Sequence, residues 1–186
     1  MAKVNLVVPK IKDLKYRQMW LMDKKTMDYN AGYDLDIKGY DKKTGTIRKT
    51  DDEIKEWFYK WIDKEPDRYY AYIYSYEEDE PIGEVYYYLD GNVHSMGIII
   101  ASKYRGKGYS CLALKELEKI AFKKNNISEL SDIIPVDRTH AISVFKKAGF
   151  IETGKEKVDM VNNQEIVAKE LLITKEMYEN NIKGEL

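Results

Sequence analysis

One stretch decides how this chain folds: Ile98-Ile99-Ile100-Ala101-Ser102-Lys103-Tyr104-Arg105-Gly106-Lys107-Gly108-Tyr109-Ser110. It reads as a buried strand, then a glycine-rich turn, then the start of a helix. Glycines let backbone amides approach a ligand closely, and the first amides of a helix lack internal partners and lie at its positive end. The stretch therefore predicts a cradle for a pyrophosphate, with charge added by Arg105 and Lys107. The alternative is an ordinary strand-to-helix turn without a ligand.

Two well-known phosphate motifs do not fit this stretch. Position 111 is Cys111, so the glycine spacing of a dinucleotide-binding strand is missing. No Gly-Lys-Ser/Thr follows at the spacing that a P-loop requires. The type of phosphate ligand therefore has to come from the wider pattern of the chain.

Strands and helices alternate on both sides of the turn. Thr50 and Glu53 form a capping box ahead of an amphipathic helix, and Asp90-Gly91-Asn92 marks a tight hairpin. The pattern predicts further helices at 13–25, 110–124 and 139–148, and strands at 6–8, 69–76, 82–89, 93–101, 131–136, 150–160 and 165–174. Residues 30–49 carry glycines and aspartates instead, which is typical of a long loop.

Residues 105–110 resemble the acetyl-CoA signature of the GNAT superfamily, Gln/Arg-x-x-Gly-x-Gly/Ala. Arg105 takes its first place and Gly108 its fourth, while Ser110 in the sixth place is small but departs from the pattern. About 30 residues later, the segment 138–150 is similar to the later GNAT motif, Asn-x-x-Ala/Ser-x-x-x-Tyr/Leu-x-x-x-Gly-Phe. The N-terminal half looks most like the RimJ/RimL type of acetyltransferase.

The resemblance implies an α+β fold, a twisted mixed sheet of about six to seven strands flanked by about four helices. It implies one domain over residues 1–186, with 30–49 as a long variable loop, and acetyl-CoA as co-substrate between splayed fourth and fifth strands. The residues expected to hold acetyl-CoA are Ile98, Ile99, Ile100, Arg105, Gly106, Lys107, Gly108, Tyr109, Ser110, Arg138 and Phe145. Two of these depart from the family: Arg138 replaces the usual asparagine, and Phe145 replaces a tyrosine that protonates the leaving thiolate. The general acid is therefore unassigned.

The implied reaction is direct attack of a primary amine on the thioester in a ternary complex. The amine belongs to an unidentified small molecule, peptide or protein N-terminus. Two other classes stay open: an acyl-CoA-binding or sensing module without turnover, and a structural or nucleotide-binding protein with an incidental glycine turn. Acidic residues in the 34–52 and 77–80 segments favour a cationic acceptor, although acidic turns are usually only solvated.

An amine is mostly ammonium at neutral pH, so a base has to remove a proton before it attacks. His94 is the first candidate by residue type. It lies eleven residues before Arg105, on the strand that leads to the cofactor, and the resemblance implies a base there because histone-acetylating members of the superfamily place their glutamate base at that spacing. Glu84 is the second, because it is a lone carboxylate in an apolar strand and burial would raise its pKa. The alternatives are a surface histidine beside a hairpin and a solvated glutamate.

Composition limits the other functions. The chain has 186 residues, 44% hydrophobic, with 31 basic and 32 acidic residues and a net charge of -1, so no basic field favours nucleic acid. Cys111 is the one cysteine, which excludes an intrachain disulfide and a cysteine-based zinc site, and we predict no bound metal. No apolar stretch approaches the roughly 20 residues of a membrane span, so we expect a cytoplasmic protein without a membrane partner. Whether it forms a homodimer stays open.

Overall fold

The computed structural model describes residues 3–184. The elements in chain order are β1 (Val4–Val7), α1 (Lys15–Met22), α2 (Lys24–Met27), α3 (Asp51–Trp61), β2 (Arg68–Ser75), β3 (Glu80–Asp90), β4 (Val93–Ile100), α4 (Tyr109–Glu118), β5 (Glu129–Pro135), α5 (Thr139–Ala148), β6 (Ile151–Val161), β7 (Gln164–Thr174) and α6 (Lys175–Gly184). A π-helical turn, Lys119–Lys124, extends α4. The predicted α+β architecture is confirmed, with six α-helices where about four were expected.

The strands form one seven-stranded sheet in the order β1-β2-β3-β4-β5-β7-β6. All neighbours are antiparallel except β4 and β5, which are parallel and share a single registered pair, Ser95 with Ser131. The β3–β4 hairpin, in contrast, is in register from Gly83–Ile100 to Asp90–Val93. The strands β4 and β5 therefore separate after Ser95 and Ser131, which leaves a gap in the middle of the sheet.

Local signals in the sequence explain where α3 begins. The amide of Glu53 donates to the Thr50 hydroxyl at 3.2 Å, and the Thr50 amide donates to the Glu53 carboxylate at 2.8 Å, so the predicted capping box is formed. The helix α3 then buries Ile54, which is 3% exposed. Behind the gap, α4 buries Leu114 and Leu117 completely against the sheet.

The helix predicted at 13–25 is divided into α1 and α2. Asp23 adopts an extended backbone, and its carboxylate accepts the amide of Thr26 at 3.0 Å. Aspartate prefers this capping position to a helix interior, so it ends one helix and begins another. The helix α6 was not predicted, because its sequence is polar except for a few residues such as Tyr178, whose ring packs 5.2 Å from that of Phe122.

Residues 31–50 contain no helix or strand. They are held by two isolated bridges, Tyr33 with Val161 and Tyr40 with Ile47, and by a 3.0 Å bond from the Asn162 amide to the Gly32 carbonyl. This segment therefore lies against the end of the β6–β7 hairpin. Within residues 3–184, no helix is long and apolar enough to cross a bilayer, and no three His, Cys, Asp or Glu side chains group as metal ligands.

Candidate active site

A cleft of about 790 Å³ occupies the gap between β4 and β5. Its volume falls within the range of small-molecule sites, about 300–1,000 Å³. The cleft is lined by β4, the glycine-rich turn with the start of α4, β5, α5, the segment at 29–35 and β6, together with Tyr86 of β3 and Ala168 of β7. The cleft is therefore formed by the separation of two central strands and bounded by segments that are distant in sequence.

Most residues predicted to hold the cofactor line this cleft. Those that do so are Ile98, Ile99, Ile100, Arg105, Gly106, Ser110, Arg138 and Phe145. Lys107, Gly108 and Tyr109 belong to the same turn but do not line the cleft. The structure thus places the glycine-rich turn and α5 in the lining of the same cleft.

The two glycines of the turn have left-handed backbones, with φ of 80° at Gly106 and 82° at Gly108. A Cβ atom at either position would meet no other atom within 4 Å, so open space lies beside this backbone. Gly108 is the N-cap of α4, whose first amides lack helical partners. The turn therefore offers free donors and room at the positive end of a ten-residue helix.

The cations of the turn are engaged within the protein. The Arg105 guanidinium donates to the carbonyls of Thr26 at 2.6 Å and Ile100 at 3.1 Å, which joins α2 to the end of β4. The Lys107 ammonium lies 2.6 Å from the Glu78 carboxylate. The free donors of the turn are therefore mainly its backbone amides.

Arg138 and Phe145 form the α5 side of the cleft. Arg138 lies at the N-cap of α5, and its guanidinium donates to the Tyr29 carbonyl and lies 5.3 Å from the centre of the Tyr29 ring. Phe145 is 3% exposed, and its ring lies edge-on to that of Phe150 at 5.0 Å. Arg138 thus ties α5 to the 29–35 segment, while Phe145 gives an apolar surface without a proton to donate.

The two predicted bases do not line the cleft. His94 pairs with Leu89 in the β3–β4 hairpin, and its ring lies edge-on to that of Tyr87 at 5.5 Å. Burial lowers the pKa of His94, against the opposing effect of nearby acidic residues. Glu84 is 1% exposed, and its carboxylate accepts from the Arg17 guanidinium and the Tyr70 hydroxyl. Their assignment as the base stays a prediction.

Asp132 and Tyr86 line the cleft and were not predicted as site residues. Asp132 is half-buried on β5, and burial raises its pKa to about 7, although the Ile133 amide at 2.8 Å and the charge of Arg138 lower it. Tyr86 reaches the cleft from β3 across Gly97, where a Cβ atom would lie 2.5 Å from the tyrosine hydroxyl oxygen. The available sequence signal for Asp132 was the one that singled out Glu84, a lone carboxylate in an apolar strand.

Comparisons with known proteins agree with this architecture. Residues 4–151 match the acetyltransferase (GNAT) domain, so the chain belongs to the GNAT acetyltransferase family. Spermidine N-acetyltransferase from Vibrio cholerae, solved with CoA and spermine, superposes with a TM-score of 0.76 at 18% identity, over 96% of this chain and 99% of that one. A GNAT-family acetyltransferase from Bacillus anthracis gives 0.70 at 16% identity, over 94% and 96%. No curated protein sequence matches the chain significantly.

Proposed function

We propose that this protein transfers the acetyl group of acetyl-CoA to a primary amine by direct attack in a ternary complex. The observation that carries the proposal is the separation of β4 and β5 after the Ser95–Ser131 pair, with the glycine-rich turn at one end of the resulting cleft. Membership of the GNAT acetyltransferase family supports the same reaction.

The cofactor is proposed to lie along β4 with its pyrophosphate at the turn. Beyond Ser95, the side of β4 that faces β5 has no registered strand partner, so backbone groups at 97–99 are available to the amides of the pantetheine arm. The open space beside Gly106 and the positive end of α4 suit the pyrophosphate. Phe145 and the isoleucines of β4 would surround the apolar part of the arm.

The acceptor is proposed to be a cationic amine that enters from the side of the 29–35 segment and β6. Asp34, Asp132 and Asp159 line the cleft there. Lys42 lies 2.5 Å from Asp34, and Lys157 lies 3.0 Å from Asp159, so two of these carboxylates already have lysine partners. Neighbouring structures of spermidine N-acetyltransferases support an amine acceptor without identifying the one used here.

The second candidate function is an acyl-CoA-binding module without turnover. Phe145 favours it, because the residue lies in the cleft and cannot protonate a thiolate. Release of CoA thiol with a panel of primary amines and polyamines separates the two functions, since only an enzyme releases thiol in proportion to the amine added. The RimJ/RimL subtype, the single-domain extent of 1–186, a cytoplasmic location and a homodimer remain proposals from the sequence.

The cofactor site is tested by Gly106→Ala, with Gly154→Ala as its matched control. Both glycines have a left-handed backbone, φ 80° and 84°, and a Cβ atom on either meets nothing within 4 Å. An alanine in the left-handed region is therefore strained by about the same amount in both variants, about 1–2 kcal/mol. We expect calorimetry to give CoA affinity at least about tenfold weaker in Gly106→Ala only, because the methyl group occupies the space of the phosphate. Equal CoA affinity in the two folded variants would contradict the site.

A further inference from the structure

We infer that Asp132 is the general base of the acetyl transfer and that Tyr86 donates a hydrogen bond beside it, at the point where β4 and β5 separate. The inference rests on the proposed function and assigns chemistry within that cleft. It differs from the prediction from the sequence, which gave the base to His94 or Glu84.

The position of Asp132 follows from the strand register. Ser131 forms the one registered pair between β5 and β4, and Asp132 is the next residue along β5, so its carboxylate lies where the cleft begins. Lysine partners occupy the other carboxylates of the wall, Asp34 and Asp159. Asp132 instead accepts the amide of Ile133 at 2.8 Å, which leaves oxygen lone pairs for an ammonium group.

The position of Tyr86 depends on Gly97. These two residues are paired across β3 and β4, and the phenol lies over the glycine so closely that a Cβ atom there would be 2.6 Å from the ring carbon that bears the hydroxyl. Within the described chain, 3–184, the Tyr86 hydroxyl has no hydrogen-bond partner, and Tyr86 lines the cleft. Any side chain at position 97 would displace the phenol from the cleft wall.

The charges around the pair suit these roles. Burial raises the pKa of Asp132 to about 7 against the opposing charge of Arg138, so the carboxylate is partly ionised at neutral pH, as an effective general base requires. Burial also raises the pKa of Tyr86, and the charges of Glu84 and Asp132 add to this effect, so the phenol stays protonated. The other titratable groups that line the cleft are Tyr29, Tyr33, Asp34, Arg105, His140, Lys157 and Asp159.

The step balances as follows. The Asp132 carboxylate takes one proton from the ammonium group, and the freed nitrogen lone pair forms a bond to the thioester carbon while the carbonyl π pair moves to oxygen. Tyr86 donates a hydrogen bond to the negative charge that develops, without losing its proton. When the oxygen pair returns, the C–S bond breaks, and the thiolate leaves with that electron pair and takes the second proton of the nitrogen. Asp132 then releases its proton to water.

The test compares Asp132→Asn and Tyr86→Phe with the parent protein and with Asp137→Asn, an exposed carboxylate that does not line the cleft. Turnover is measured against pH with one amine that the parent protein acetylates. Asparagine keeps the oxygen that accepts the Ile133 amide, so the fold should survive, and thermal unfolding checks this.

We expect kcat of Asp132→Asn to be lower by about 10² to 10⁴ at neutral pH, with unchanged affinity for acetyl-CoA. The loss should shrink towards about pH 10, where the amine is deprotonated without a general base. The acidic limb of the turnover-versus-pH profile, near pH 7, should disappear in this variant. The kcat of Tyr86→Phe should be lower by about 10² to 10³, and this variant should keep the acidic limb. The control should match the parent protein.

Undiminished turnover of Asp132→Asn, or an unchanged acidic limb, overturns the inference and leaves the proposed function intact. A comparable loss in Asp137→Asn also overturns it, because the effect would then be one of general charge. If the parent protein binds CoA but acetylates no amine of the panel, acetyl transfer itself fails and the assignment of Asp132 fails with it.

Discussion

The buried group of Arg17, Tyr70 and Glu84 gives the sharpest prediction about stability. The Glu84 carboxylate is 1% exposed and accepts from both Arg17 and Tyr70. The guanidinium lies 4.1 Å from the Trp57 ring, and among the described residues 3–184 its Nε has no hydrogen-bond partner. The positive charge of the Arg17 guanidinium is therefore balanced by the Glu84 carboxylate. The Glu84→Gln substitution removes that negative charge.

The size of the effect follows from the burial. Removing one partner of a buried ion pair costs about 3–5 kcal/mol, because it leaves an uncompensated charge. Burial lowers the pKa of Arg17, but the Glu84 carboxylate more than offsets this, so the pair is held ionised in the folded protein. Glutamine still accepts one hydrogen bond, which favours the lower end, about 3 kcal/mol. For a chain of 186 residues this corresponds to a decrease in Tm of roughly 6–12 °C.

Urea unfolding of the parent protein, Glu84→Gln, Arg17→Met and the double variant measures the coupling between the two residues. We expect each single variant to be destabilised, and the double variant to recover part of the loss, since it leaves no uncompensated charge buried. A loss below about 1 kcal/mol in Glu84→Gln would refute the reasoning, because the value is typical of an exposed pair. Turnover at a temperature where Glu84→Gln is folded then tests the glutamate as a base separately.

Two further predictions concern titratable groups. His94→Ala should keep turnover within about threefold of the parent protein, because the imidazole does not line the cleft. A loss of about 10² in turnover, measured against pH, would instead support His94 as the general base. Asp132→Asn should become more stable relative to the parent protein as pH rises from about 5 to 8. The folded-state pKa of Asp132, about 7, lies above the unfolded value of about 3.9, so the stability that its protonated form contributes is present below pH 3.9 and lost as pH rises through 7. Solvent in the cleft reduces the gain to about 1–2 kcal/mol by urea unfolding, and no change with pH would contradict the raised pKa of Asp132.

The parts of the fold that were predicted are those with local causes. The capping box of α3, the β3–β4 hairpin and the strand-turn-helix at 93–118 each depend on residues within a few positions of one another. The order of these elements, together with two spaced motifs, was enough to identify the family. The break between α1 and α2 was missed because Asp23 is compatible with a helix until its carboxylate caps the Thr26 amide.

The site was predicted unevenly for a physical reason. The phosphate contacts proposed for the glycine-rich turn come from its backbone, so the position of the turn in the sequence is enough to predict them. A base acts through a side chain, and its identity depends on which strand faces the gap. His94 and Glu84 lie on strands that lead to the cleft, yet the register places Asp132 and Tyr86 in its wall instead. Asp132 is a lone carboxylate in an apolar strand, as Glu84 is, but without the pairing of Ser95 with Ser131 the sequence does not show which of the two faces the gap.

Arg105 shows why residue type alone does not define a phosphate contact. In the sequence it is a cation beside two glycines, but in the fold its guanidinium donates to the carbonyls of Lys25 and Thr26. The last carbonyls of a helix lack internal partners, so Arg105 supplies hydrogen bonds to the final carbonyls of α2. It thereby holds in place the residues that lead to the 29–35 segment. An Arg105→Ala variant would therefore disturb the wall as well as any phosphate, and a loss of CoA affinity would have two explanations. Substitution of Gly106 adds only the backbone strain that the Gly154→Ala control also carries, because its Cβ atom would meet only the open space beside the turn.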